Sequence, residues 1–361
     1  DADSEGVEGK FYTWTYMELQ SLIGDEMPWF AKLYNLKPQG NWEEGMNILF
    51  QTKEYAQLAD EFGMSEQELV SKLNMLKSKL LEVRNQRIFP GKDDKVLTGW
   101  NAMMDVGLIQ GYFATGEKEM LDLALANLDF LQEKLVIDGV LMRSYKNGQA
   151  YTPAFLEDYA ALIRALFFAF EASGKPPYLD LATKLTETCL SEFFDESDGF
   201  FYFNNPHAEK LIANKKELFD NVIPASNSVM ARNLHRLSLL TYEEKYGKIA
   251  CKMLGGMKEL ITKEPGFLCN WANLYLEILI PTAEIAIVGK GAQKLSMELR
   301  KTLFSNSVLA WSEVTTETAP ILSGKTPDSE GNALIYVCFD RACRRPVSTV
   351  KEALSQLPYL A

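Results

Sequence analysis

The sequence predicts a mainly α protein, part of an α/α toroid followed by a small α/β unit. Three observations carry this. A helix that is apolar nearly all round, followed by an amphipathic one, recurs along the middle of the chain. Each apolar member closes on a matching turn, at Gly116, Gly174 and Tyr242. After Pro281 the composition changes to short β-branched runs between helical patterns. A hairpin of this kind cannot bury its own apolar face, so neighbours stack and the array curves toward closure.

The 361 residues are 47% hydrophobic and 24% charged, an ordinary globular composition and length enough for two domains. We place the partial toroid at 1–281 and the α/β unit at 282–361. The net charge of −12 argues against nucleic acid or an anionic membrane as the main partner. No apolar run reaches the ~18 residues of a spanning helix. The opening Asp1-Ala2-Asp3-Ser4-Glu5-Gly6 has neither the basic flank nor the apolar core of a signal peptide. It also lacks an initiator Met, so a piece of a longer protein is expected. Of the five cysteines, Cys189, Cys251 and Cys269 fall in helical patterns and read as small buried hydrophobes. A reducing, cytoplasmic setting is expected from this usage.

Thr15 and Glu18 form a capping-box pattern before a short helix ending near Ile23. A long amphipathic run from Ser65 to Gln86 follows and stops before Pro90-Gly91. The first inner helix, from Leu97, has only Asn101, Asp105 and Gln110 as polar members, and is expected to be buried on most sides. Its outer partner carries a stripe of Leu121, Ala124, Leu125, Leu128 and Leu131. Further inner helices start near Glu157, Ser226 and Cys269, and the outer helices carry Ala124, Ala182 and Ala250 at one offset. Counting back from the closing turns aligns Trp100 with Asp158 and Ser226. Hairpin signals, Asp138-Gly139 and Asp198-Gly199, lie between units. Fewer long helices are visible before Pro281 than the twelve of a closed six-hairpin ring, so an N-terminally incomplete toroid with an open wall is expected. Beyond Pro281, strands are expected at 283–289, 307–311 and 333–338, with helices at 292–303 and 348–357, the last capped by Ser348.

Several blocks together resemble a known family. They are Asp1 to Gly6 with Glu8-Gly9-Lys10-Phe11-Tyr12 and Trp14-Thr15, Asp93 to Thr98 with Trp100-Asn101, and Phe155 to Ala160. Pro224 to Val229, Gly324 to Pro327, and Tyr336-Val337-Cys338 with Cys343 and Pro346 continue the series. In this order they resemble the DUF255 family, the YyaL or spermatogenesis-associated protein 20 type. The resemblance implies a toroid of the six-hairpin glycosidase or N-acylglucosamine 2-epimerase type, normally fused to an upstream thioredoxin-like domain that would act as its partner. It also implies carbohydrate chemistry at superfamily level, on a small sugar ligand, by a hydrolase or epimerase. The sequence departs from the family at Ala102, where the usual pattern is Trp-Asn-Gly, and at Ile223-Pro224-Ala225-Ser226-Asn227, where it is Thr-Pro-Ser-Gly-Asn.

Equivalent inner-helix starts should point into one funnel. They bring acids at Asp94, Glu157, Asp158 and Asp220, with Trp100, Asn101, Tyr159, Asn227 and Trp271 as stacking and hydrogen-bonding groups. Glycosidic cleavage needs one protonated and one ionised carboxyl, and sugars need aromatic platforms and planar polar groups. Asp158 is the first candidate acid, with Asp220 or Asp94 as partner. The bland alternative is that these residues are helix caps and core aromatics. Asp158→Asn is expected to remove function and spare stability, because Asn caps about as well as Asp. Histidine is nearly absent, with His207 in the Asn-Asn-Pro-His loop and His235 late in the third inner helix, away from the expected funnel end, so neither a His-pair epimerase mechanism nor a Ser-His-Asp triad can be assembled. No zinc spacing is present and no cofactor is expected. Cys338 and Cys343, beside Arg341, Arg344 and Arg345, are redox candidates or simply two thiols in a turn. Val288-Gly289-Lys290-Gly291 is a fragment of a dinucleotide motif without its third glycine. The runner-up function is a non-catalytic scaffold that holds a ligand or client for the thioredoxin-like domain.

Overall fold

In this computed structural model, which describes residues 2–207, 214–302 and 306–357, the chain forms two units, Asp1–Asp94 and Lys95–Ala361. The first holds two small antiparallel ladders, β1 (Asp3–Ser4) with β2 (Val7–Glu8) and β3 (Trp14–Thr15) with β4 (Met46–Asn47). Its helices are α1 (Tyr16–Ile23), α2 (Met27–Leu33), α3 (Tyr55–Glu61) and α4 (Glu66–Arg84). Thr15 accepts from the Glu18 N–H at 3.1 Å, and Ser65 accepts from the Glu68 N–H at 3.2 Å. Both caps satisfy an N–H that the first helical turn leaves unpaired. Leu19, Phe30, Leu33, Leu58, Leu69 and Leu73 fill the core of this unit.

The second unit opens with β5 (Val96–Leu97) and then runs through paired helices. The pairs are α5 (Thr98–Thr115) with α6 (Lys118–Leu135), α7 (Leu156–Ser173) with α8 (Pro176–Glu192), and α9 (Ser226–Thr241) with α10 (Glu244–Lys263). A last inner helix, α11 (Cys269–Leu279), packs on α9 and α10. Inner helices lie side by side in the order α5, α7, α9, α11. These seven helices are the arc of an α/α toroid, against the twelve of a closed six-hairpin ring. Ala124, Ala182 and Ala250 are all fully buried, so the shared offset marks where each outer helix approaches its partner. The chain ends α5 and α7 on left-handed Gly116 and Gly174, with φ of 82° and 66°. A Cβ on Gly174 would also stand 3.1 Å from the Trp311 ring. Short strands join the hairpins: β6 (Val136–Ile137), β7 (Val140–Lys146) and β8 (Gln149–Pro153), then β9 (Phe194–Asp195) with β10 (Phe200–Phe201). Asp138-Gly139 and Asp198-Gly199 make the expected turns.

The α/β section orders its strands β12 (Ser307–Ser312), β11 (Ala283–Val288), β13 (Leu334–Phe339), β14 (Ala342–Cys343). β11 and β12 are parallel, with Ile287 opposite Trp311, and α12 (Ala292–Arg300) lies between them in sequence. β13 runs antiparallel to β11, and α13 (Val350–Leu354) follows β14. The compositional change after Pro281 is therefore a change of secondary structure within the second unit. Glu171 of α7, fully buried, ion-pairs with Arg236 of α9 and Arg300 of α12. It also accepts from the Leu309 N–H of β12 at 3.3 Å.

Four expectations are corrected. α5 is not buried on most sides: Trp100 and Met104 are 66% and 63% exposed, because α5 packs on one inner neighbour where α7 has two. Of the three helical cysteines Cys251 and Cys269 are exposed and Cys189 is buried; Ala250 holds the buried position beside Cys251, and Cys269 opens its helix. The last helix is capped by Thr349 rather than Ser348, through the Glu352 N–H at 3.3 Å. It stops at Leu354 instead of Leu357.

Candidate functional site

The starts of α5, α7 and α9 meet at one cavity of about 190 Å³. Its walls include Gly99, Trp100, Glu157, Asp158, Arg164 and Ser226. The convergence follows from the repeat: equivalent positions on stacked hairpins point the same way. The volume suits a small metabolite, below the roughly 300–1,000 Å³ of drug-sized sites.

Asp158 sits in the first turn of α7 and is 2% exposed. Its Oδ2 accepts from the Phe155 N–H at 3.0 Å and from Arg143 Nη1 at 2.8 Å, and its Oδ1 accepts from the Gly99 N–H at 3.1 Å. A carboxylate offers about four acceptor positions, so the one left open is on Oδ1. Burial pushes its pKa up to about 6 despite the Arg143 charge, with Glu157 adding a further push. Gly99 permits the approach, since a Cβ there would lie 2.9 Å from Oδ1. Glu157, beside it, accepts from the same Arg143 Nη1 at 2.7 Å and is partly open to the cavity. One guanidinium nitrogen thus bridges two carboxylates. The indole of Trp100 lies exposed at the same cavity.

The other site candidates do not join this group. Tyr159 is fully buried, accepting from the Leu141 N–H at 3.2 Å and packed edge-on against Phe193. Trp271 is fully buried too, donating to the Leu218 carbonyl at 2.8 Å. Neither has a face for a sugar: both are core aromatics whose polar tips are satisfied internally. Asn227 spends its amide on the backbone of Phe201 and Glu217. Asn101 donates to Leu97 O within its own first turn. Asp220 accepts from the Ala225 N–H and, at 2.9 Å, from the Asn270 N–H at the start of α11. It serves the next helix as Asp158 serves α5, and does not line the cavity. Asp94 is the last residue of the first unit and is not part of the cavity wall.

Asp158→Asn is also no longer expected to spare stability. Three donors converge on that carboxylate, so an amide NH2 must face one of them. Cys338 and Cys343 form a disulfide across the β13–β14 pair, in direct register. That makes a strand staple, and neither cysteine lines the cavity. A disulfide is at odds with the reducing setting expected from the sequence. The glycine fragment before α12 is closed to phosphate, because Glu313 accepts from the Gly291 and Gln293 N–H groups at 2.8 and 3.0 Å. His235 lies half-buried with its pKa lowered by desolvation, hydrogen-bonded to Thr282 at 3.2 Å. Among the described residues no group of three metal-ligating side chains is present, and no helix is long and apolar enough to cross a membrane.

Sequence reasoning missed the arginines. Arg143 comes from β7, far from the helix starts it serves. Arg164 and Arg232 stand six residues after Asp158 and Ser226, at equivalent offsets of two inner helices. That recurrence was the available signal.

The chain is 27% identical to an uncharacterised protein of Caenorhabditis elegans over 379 residues, 97% of this chain and 52% of the relative. It is 26% identical to human spermatogenesis-associated protein 20 over 386 residues, 94% of this chain and 48% of the relative. The chain is a homologue of spermatogenesis-associated protein 20. It spans about half the length of the relatives it matches. No protein-family model matches it. Among solved structures it is similar to an α-mannanase of Bacteroides thetaiotaomicron, with 16% identity, a TM-score of 0.39, and coverage of 54% of this chain and 56% of that one. A sugar epimerase from a ruminal bacterium gives 16% identity, a TM-score of 0.41, and coverage of 68% and 55%. These likenesses are partial, and the fold assignment rests on the helix packing described above.

Proposed function

We propose that the cavity at the starts of α5, α7 and α9 is a carbohydrate site at which a carboxyl moves a proton, in a glycoside hydrolase or sugar epimerase type of reaction. The observation that carries this is the pairing of Glu157 and Asp158 on one guanidinium nitrogen beside the exposed Trp100 indole. The two carboxylates differ in surroundings, Asp158 being buried and Glu157 partly exposed. Asp158, with its raised pKa, is partly protonated near neutral pH and has one acceptor position open on Oδ1. That suits a group that donates a proton. Glu157 is the better exposed carboxylate and the better placed to accept one. Trp100 offers a flat apolar face to a pyranose ring.

The test is calorimetric titration of glucose and mannose, with turnover followed by NMR of the anomeric protons. Glu157→Gln should remove turnover while leaving the melting temperature and sugar affinity nearly unchanged. Trp100→Ala should weaken affinity at least tenfold. Absence of sugar binding at millimolar concentration would sink the reading. A second reading, a ligand- or client-holding scaffold for a thioredoxin-like domain, is favoured by one observation: three of the four acceptor positions of Asp158 are committed to structure. Binding without turnover in the same experiment would select it.

A further inference from the structure

Behind the two carboxylates the cavity is walled by a cation. Arg164 of α7 lines the 190 Å³ cavity and also a second, smaller one of about 50 Å³, which continues between α7, α9 and α11. Two more inner-helix arginines line that second cavity, and both are paired. Arg232 donates to Glu277 and, at 2.8 Å, to Asn270 Oδ1. Arg236 is held by Glu171, which Arg300 shares. Arg164 has no carboxylate partner among the described residues. Four guanidiniums, Arg164, Arg232, Arg236 and Arg300, therefore face two carboxylates, Glu171 and Glu277. Burial, with Arg232 and Arg236 nearby, pulls the Arg164 pKa down to about 10, and Glu277 opposes this. It remains charged at neutral pH. A half-buried guanidinium without a counter-ion is costly, and this one stands in an inner wall of a chain with net charge −12.

We propose that Arg164 receives an anionic group, a carboxylate or a phosphate, on the ligand of this cavity, so that the sugar accepted there is an acidic or phosphorylated one. This rests on the carbohydrate reading above and deepens it. The anion would offset the excess positive charge of the arginine cluster, a carboxylate by one charge and a phosphate dianion by two, and the guanidinium presents a planar fork suited to either group. Trp100, Glu157 and Asp158 would then meet the neutral end of the same molecule near the mouth.

The experiment titrates the full chain with four probes: D-glucose, D-glucuronate, D-glucose 6-phosphate and inorganic phosphate. It is repeated for Arg164→Gln and Arg164→Lys, with melting temperatures as a folding control. At least one anionic sugar should bind tenfold or more tighter than glucose, and which of the two wins separates carboxylate from phosphate. In Arg164→Gln that preference should fall to within about twofold, and Arg164→Lys should restore part of it. Glucose binding as tightly as both anionic sugars to the natural chain would overturn the inference and leave the carbohydrate reading standing. This arm needs no variant. A preference that survives in Arg164→Gln, or no binding by any anion, would also overturn it. Phosphate binding lost in Arg164→Gln, with no sugar bound at all, would support the anion site and sink the carbohydrate reading.

Discussion

Asp158 belongs to α7 but terminates the backbone of α5, and this double duty sets what its replacement does. Asp158→Asn should lower stability by ~2–3 kcal/mol, since one of three converging donors meets an amide NH2. Glu157→Gln, with a single bond to Arg143 in the structure, should cost under ~1 kcal/mol. Denaturant midpoints of the two variants check this contrast, and equal losses would contradict the assigned geometry. Asp105 gives a pH-dependent counterpart. Burial raises its pKa from 3.8 to about 7, against the opposing effect of its hydrogen bond from Asn127, and it is fully buried on α5. The folded state thus holds the proton more tightly than the unfolded one, so stability falls as pH rises from about 4 to about 7 and this contribution is then constant. Asp105→Asn should match the natural chain at pH 4 and exceed it by roughly 4 kcal/mol at pH 8, given about 1.4 kcal/mol per tenfold change in proton affinity. Melting temperatures across that range decide it.

At the scale of elements, the inner and outer helices were legible because their period and closing turns repeat. The third closure was readable even without glycine. Tyr242 adopts φ 59°, held where Arg341 donates to its carbonyl at 2.7 Å and lies over its ring. The site was less legible. Trp100, Glu157 and Asp158 came from repeat alignment, whereas Tyr159 and Trp271 share the same local pattern and point into the core. Neighbouring residues on a helix are about 100° apart, so alignment to within one residue cannot separate cavity from core. Arg143 was invisible because strand β7 brings it from outside the helical pattern. Two element-level outcomes follow. Reduction of the Cys338–Cys343 disulfide, which closes a very short loop, should cost about 2 kcal/mol and leave ligand affinity unchanged. Glu313→Ala strips two N–H groups at the start of α12 of their acceptor. It should cost ~1–2 kcal/mol, measured by thermal unfolding.

For the second unit as a whole, Glu171 is the tie between helices and sheet. Glu171→Ala leaves two guanidiniums without their carboxylate and should destabilise by ~3–5 kcal/mol. The loss should appear as early hydrogen exchange in β12 and α12 before the α7–α8 pair opens. Simultaneous exchange throughout would contradict the tie. Asp158 caps α5 as well as its own helix, and Asp220, in the segment before α9, caps α11 as well as α9, which also constrains how such a chain can evolve. A hairpin that carried its own caps could be copied or excised as a self-contained cassette. Here an insertion between α5 and α7, or between α9 and α11, would strand a carboxylate on one side and bare amides on the other. Lineages descended from this arrangement should therefore diversify through the connecting segments, and the number of hairpins should stay frozen.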